Sequence, residues 1–148
     1  MVFLLFPLLV LLAGGAPSVF GQTVADSFDP NPDDEIHVVV VQPDGKVILG
    51  GEFSTLAPNG GATVTRNRIA RLNPDGTLDA AFNPNANNDV DAVAIQADGK
   101  ILVGGKFISI GGQSRHFIAR LDATTGLPDS FNPDPTQMLS RSRCSRTA

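Results

Sequence analysis

Apolar runs of four to seven residues alternate with clusters of Asn, Asp, Gly and Pro from residue 36 onward, and the runs are too short for helices. Residues 36 to 42 are apolar apart from His37 and Gln42, and residues 90 to 96 apart from Asp91 and Gln96, so each predicts a strand covered on both faces. Pro43-Asp44-Gly45 and Ala97-Asp98-Gly99 come next, and Asp-Gly supplies the positive φ that tight hairpin turns need. Second strands are predicted at residues 46 to 53 and 100 to 107. Each carries a Gly-Gly pair, which marks a bulge or the close approach of another backbone. Third strands are predicted at 68 to 73 and 117 to 122, and fourth strands at 78 to 82 and 127 to 131.

The order of elements therefore repeats. Gln42-Pro43-Asp44-Gly45-Lys46-Val47-Ile48-Leu49-Gly50-Gly51-Glu52-Phe53 returns as Gln96-Ala97-Asp98-Gly99-Lys100-Ile101-Leu102-Val103-Gly104-Gly105-Lys106-Phe107. Ile69-Ala70-Arg71-Leu72 returns as Ile118-Ala119-Arg120-Leu121, and Phe82-Asn83-Pro84 as Phe131-Asn132-Pro133, with an earlier copy of that ending at Phe28-Asp29-Pro30. Repeat one spans about 29–82 and repeat two about 83–131. Fifteen residues separate Phe53 from Ile69 but ten separate Phe107 from Ile118, so one surface connection lengthened while its flanks kept register. Four antiparallel strands per unit of about 50 residues predict an all-β chain made of β-propeller blades, each burying its apolar surface against the next.

These motifs resemble the delta-60 repeat, a propeller-type repeat of bacterial secreted proteins. The resemblance covers residues 26 to 133 and departs at Asp122-Ala123-Thr124-Thr125-Gly126, where the Asp-Gly turn is replaced. It implies a fold and an extracellular setting. It assigns no catalytic, cofactor-binding or metal-binding residue.

Residues 2 to 13 are almost wholly apolar and lead through Gly14-Gly15-Ala16-Pro17 to Gly21 and polar Gln22, the pattern of a secretory signal over residues 1–21. An apolar run of about 12 residues is too short to span a bilayer that needs about 20. No Cys stands directly after it, so no lipid attachment is expected. Residues 22–135 hold eight basic and fifteen acidic side chains, which disfavours nucleic acid and anionic membrane as partners. The lone Cys144 can form no internal disulfide, so stability must come from sheet packing. Trp and Tyr are absent, which removes the usual platforms for sugar stacking. Phe53, Phe82, Phe107 and Phe131 recur in register and are expected in the core.

Connections in an antiparallel blade alternate between two ends. The Asp-Gly turns share one end. Loops 54–67 and 108–116 share the other with the interblade links 29–35 and 83–89, and this variable rim is the expected binding face, with Asp34, Asn88 and Arg115 as representative residues. Asp29-Pro30-Asn31-Pro32-Asp33-Asp34-Glu35 offers oxygens at alternate positions, yet Asp34 and Val40 stand where a calcium loop needs Gly and Glu, so it reads as a solvated turn. Lys106 follows Gly104-Gly105 without the Ser or Thr of a phosphate loop, and Glu52 replaces it in the first copy. Arg71 and Arg120, inside apolar strands, are expected to pair with carboxylates or to cap carbonyls between blades. His37 and His116 have no metal-site spacing, and no nucleophile elbow is present, so a non-catalytic interaction module or scaffold for an extracellular protein or glycan is expected.

After Pro135 the pattern is lost. The spacing predicts an apolar strand from residue 139, but the chain reads Leu139-Ser140-Arg141-Ser142-Arg143, so residues 136–148 are expected to form a basic, disordered tail. Closed propellers have about 4 to 8 blades. Two blades are therefore expected to belong to a larger ring, either as a portion of a larger extracellular enzyme or adhesin or through self-association at open blade edges.

Overall fold

The turn chemistry fixes where the strands begin and end. Gln42 N–H donates to the Lys46 carbonyl at 2.8 Å, and Gly45 takes φ +86°, so the chain reverses between a pair of strands; Gln96, Lys100 and Gly99 repeat this. In the computed structural model, which describes residues 28–133, repeat one contains β1 (Ile36–Val41), β2 (Val47–Gly51), β3 (Thr55–Leu56), β4 (Val64–Thr65) and β5 (Ile69–Leu72). Repeat two contains β6 (Val90–Ile95), β7 (Ile101–Gly105), β8 (Ser109–Ile110), β9 (Gln113–Ser114) and β10 (Ile118–Leu121). The signal segment and basic tail predicted from sequence lie outside the described residues.

Each repeat builds one antiparallel sheet, ordered β1-β2-β5 in the first and β6-β7-β10 in the second. The fourth strand is reduced to a single bridge, Leu72 with Leu78 and Leu121 with Pro128. An acidic side chain ends it: Asp79 Oδ1 accepts the Ala81 N–H at 3.1 Å and Asp129 Oδ1 accepts the Phe131 N–H at 2.8 Å. These local turns compete with the ladder and swing Phe82 and Phe131 beneath the sheet. Loops 54–67 and 108–116 are also more ordered than expected, since β3 pairs with β4 and β8 with β9. The five extra residues of the first loop include a 3₁₀ turn at Pro58–Gly60.

The replaced turn at Asp122-Ala123-Thr124-Thr125-Gly126 is one residue longer than its counterpart. Gly126 N–H donates to the Asp122 carbonyl at 3.0 Å, whereas Gly76 N–H donates to Asn73 at 2.8 Å.

The sheets stack face to face. On β2, Val47 and Leu49 point to one side, with Phe53, Leu56, Ala70 and Leu72, and are joined there by Phe28, Ile36 and Leu78. Ile48 points to the other side, where it, Ile69 and Phe82, which closes repeat one, join Ala86, Val90, Ile101, Val103 and Phe107 of the second repeat in one cluster. Each blade thus has a leading face, turned toward the preceding segment, and a trailing face, turned toward the next blade. Phe53, Phe82 and Phe107 are fully buried, and each contributes roughly 1.5–3 kcal/mol of transfer free energy. Phe131 is only half-buried.

The expectation that the first strands are covered on both faces is corrected. β1 is an edge strand of its sheet; Val39 is 54% exposed and Val41 64%. An apolar edge strand reads like an interior one because its missing cover would come from a separate blade.

Candidate functional site

The Gly-Gly pair shapes the rim. A Cβ on Gly51 would lie 2.1 Å from the Glu35 carbonyl oxygen, and one on Gly105 would lie 2.1 Å from that of Asp89, so only glycine admits these carbonyls. Glu52 and Lys106 N–H groups then donate to the same carbonyls at 2.8 and 2.9 Å. Opposite them, β1 slips register between Ile36 and Val38, and β6 between Val90 and Ala92. The bulged residues are His37 and Asp91, whose side chains are thereby re-aimed.

His37 and Asp91 are 54 positions apart and equivalent, yet they meet: His37 Nδ1 lies 2.9 Å from Asp91 Oδ1. His37 Nε2 lies 3.4 Å from Glu52 Oε1. Nearby, Lys106 Nζ is 3.1 Å from Asp89 Oδ2, and Arg68 NH1 is 3.8 Å from Asp89 Oδ1 while donating to the Glu52 carbonyl. The Lys106 ammonium is held above its ordinary pKa by the Asp89 hydrogen bond and charge, then by Asp91 and Glu52. Six polar side chains of both signs thus occupy one end of the blade joint. Among the described residues no set of His, Cys, Asp and Glu converges with the geometry of a metal site.

The rim residues named from sequence fare differently. Asp34 Oδ1 accepts its neighbour Glu35 N–H at 2.9 Å, and Asn88 Oδ1 accepts Asp89 N–H at 2.9 Å, so both perform the same local turn duty. Asp33 Oδ1 accepts the Ser54 and Thr55 N–H groups at 2.8 Å each, and Asn87 Oδ1 accepts those of Ile108 and Ser109 at 3.0 Å. The Ser54 hydroxyl and these N–H groups hold the Asp33 carboxyl far below the usual carboxylate range. Arg115 is the counterpart of Arg66: one reaches the Asp129 carbonyl at 2.6 Å, the other the Ala80 carbonyl at 3.5 Å. Asp33 and Asn87 thus clamp each link to its blade. Variability between copies at Asp33 and Asn87 conceals one shared structural task.

His37, Glu52, Asp91 and Lys106 differ between copies without such a shared task. The replacement of Glu52 by Lys106 is visible in the aligned repeats. The meeting of His37 with Asp91 is not, because it needs the bulge and the stacking together. His116 Nε2 lies 3.5 Å from Ser114 Oγ.

The opposite end is a structural joint. Arg71 Nε and Lys46 Nζ both reach Asp79 Oδ2, at 2.9 and 2.8 Å. Arg71 also donates to the carbonyl of Ala123 and, at 3.0 Å, to that of Thr124 in blade two, and its guanidinium lies 4.3 Å from the Phe82 ring centroid. Both roles expected of this arginine are therefore present, ion pairing and carbonyl capping between blades. Burial pushes the Asp79 carboxyl up, but Lys46, the Arg71 charge and the Ala81 N–H outweigh it, so its pKa falls below the ordinary value. The second blade repeats the pattern: Arg120 Nε and Lys100 Nζ reach Asp129 Oδ2 at 2.8 and 3.1 Å, and the Arg120 guanidinium lies 4.9 Å from the Phe131 ring centroid.

Antiparallel sheets repeated in tandem, each stacked on the next and locked by an arginine across the joint, are blades of a β-propeller. Residues 42–82 and 96–131 match the family described as a domain of unknown function (DUF5122) beta-propeller, and the chain belongs to that family. No curated protein and no solved structure matches it. Among the described residues, no helix is long and apolar enough to cross a membrane.

Proposed function

We propose that this chain is a secreted or cell-surface, non-catalytic propeller module of delta-60 type that holds an extracellular partner at its inner rim. The observation that carries this reading is the cluster of His37, Glu52, Asp91 and Lys106. Scaffold positions keep one task in both blades, while these four positions change chemistry between blades and converge on one surface. A repeat scaffold that varies a single cluster of exposed polar residues presents a recognition surface.

A polypeptide fits this surface better than a glycan. Carboxylates and cations alternate over a short distance and can pair with opposite charges or backbone groups, and no aromatic side chain stands among them to stack a sugar ring. The test is a binding panel of defined extracellular matrix proteins and bacterial polysaccharides, probed with the wild-type chain, with H37A/E52A/D91A/K106A, and with D44A/D98A at the turn end. Binding to a protein probe that is lost in the first variant and kept in the second supports the reading. Binding that survives the rim variant, or that is confined to polysaccharides, contradicts it.

A further inference from the structure

The two trailing faces are in different conditions. On blade one, Ile48 and Ile69 are wholly buried by blade two, and a Cβ on Gly50 would stand 2.6 Å from Val90 Cγ1. On blade two, their counterparts Leu102, Gly104 and Ile118 are only partly buried, and with Ala92 and Ala94 they line an apolar groove of about 190 Å³. A Cβ on Gly104 would meet nothing nearer than 3.8 Å. The polar groups show the same contrast. Gln42 Oε1 lies 3.4 Å from Arg71 NH1, but its counterpart Gln96 Oε1 is buried without a partner. Arg71 crosses to two carbonyls of the next blade; Arg120, among the described residues, has no such carbonyls to reach.

The surface that fits this face is on the same molecule. The joint between blades holds Phe82, which closes repeat one, with Ala86 and Val90 of repeat two; the equivalent positions before and in blade one hold Phe28, Pro32 and Ile36, with Pro32 bridging Leu56 as Ala86 bridges Ile110. Val93 of β6 is partly buried against the shared core, whereas its counterpart Val39, and Val41 beyond it, are exposed on the leading face of blade one. Asn73-Pro74-Asp75-Gly76 stands where blade two presents the turn that Arg71 grips.

We propose that the trailing face of blade two docks onto the leading face of blade one of a second copy of this chain, head to tail, and so rebuilds the joint seen between its own blades. Ile36 of the second copy covers Gly104, its Val39 and Val41 are withdrawn from water, and the Arg120 guanidinium enters its turn at residues 73 to 76. The contact uses sheet faces rather than the open strand edges expected from sequence. Phe131 of one copy and Phe28 of the next claim the same position, and the half-buried Phe131 is the one that yields. A heterologous contact of this kind closes into a ring when the rotation fits, and about 4 to 8 blades correspond to roughly two to four copies. The test reads self-assembly through Gly104 and Arg120, neither of which belongs to the rim cluster, so its failure is distinguishable from failure of the function proposed above.

Sedimentation velocity of the full chain over a wide concentration range tests it. The wild type is expected to pass from monomer to a discrete species of two to four copies. Gly104→Ala fits the isolated chain but collides with Ile36 of a docked copy, so it is expected to remain monomeric with unchanged circular dichroism and urea midpoint. Arg120→Met is expected to raise the dissociation constant about tenfold or more. A wild-type chain that stays monomeric at every concentration overturns the proposal, and it is also the result if this face is covered by another protein or by further blades of a longer chain. Assembly of Gly104→Ala as readily as wild type overturns it too.

Discussion

Asp79→Asn and Asp129→Asn are the same substitution at equivalent positions, and the structure expects them to differ in cost. The Arg71 side chain is 4% exposed and Asp79 10%, so removing the carboxylate charge leaves a guanidinium buried with no counter-charge; breaking such a pair costs about 3 kcal/mol. Lys100 and Arg120 are 38% and 26% exposed, and water can solvate both when Asp129 is neutralised, so that change costs about 1 kcal/mol or less. Asn keeps the side-chain oxygen that accepts the Ala81 or Phe131 N–H, so the comparison isolates charge. Urea unfolding followed by circular dichroism, at a concentration where the chain is monomeric, reads the difference. With a slope of about 1–3 kcal/mol per molar, Asp79→Asn should lower the midpoint by roughly 1–3 M and Asp129→Asn by a small fraction of that. Equal shifts would refute the reasoning, since only cover by the neighbouring blade distinguishes the two sites.

Other expectations follow from the same geometry. Asp129 is held down to about 2, first by the Phe131 N–H and, against burial, by Arg120 and Lys100; Asp79 is also lowered. The unfolded chain therefore binds more protons as acidity rises, so this stabilisation is full above about pH 5 and is lost as pH falls through about 4 toward 2. Thermal melts across that range should show the loss, and the acid limb should flatten when both aspartates are changed to Asn; an unchanged limb would contradict the assignment. Gly51→Ala forces the Glu35 carbonyl away and should cost roughly 2–3 kcal/mol or more, measurable as a lowered urea midpoint, with loss of the His37–Asp91 contact in the imidazole NMR signals. Phe107→Ala empties a fully buried site and should cost about 3–5 kcal/mol in the same unfolding assay.

What the sequence made legible was local chemistry. Asp44-Gly45 and Asp98-Gly99 announced their turns because few other residues accept that backbone, and Gly50-Gly51 announced a bulge or a close backbone approach, of which Gly51 shows the approach of the Glu35 carbonyl and β1 opposite it the bulge. Phe53, Phe82 and Phe107 were readable as core from their recurrence. Leu78 onward was misread as a strand, since its alternation gives no hint that the Asp79 carboxylate will cap a turn and end the ladder after one bridge. β1 was misread as interior because Val38 to Val41 would look the same whether or not a neighbouring blade covered them. The inner rim was the least legible part. His37 and Asp91 gain meaning only when a bulge in each sheet re-aims them and stacking brings the two bulges together. Asp34 and Asn88 cap local turns and Arg115 holds the Asp129 carbonyl, so all three serve the scaffold; the residues that tie links to blades are their neighbours Asp33 and Asn87.

Face-to-face stacking of the two repeats is the claim on which the joint, the rim and the open trailing face all depend. Val90 Cγ1 and Val38 Cγ1 lie 2.6 and 2.9 Å from the point where a Gly50 Cβ would sit, which places methyl groups from separate repeats side by side. A methyl-labelled nuclear Overhauser spectrum measures this contact directly. The account expects a strong cross-peak between Val90 and Val38. A spectrum in which Val90 shows contacts only within its own repeat would contradict it.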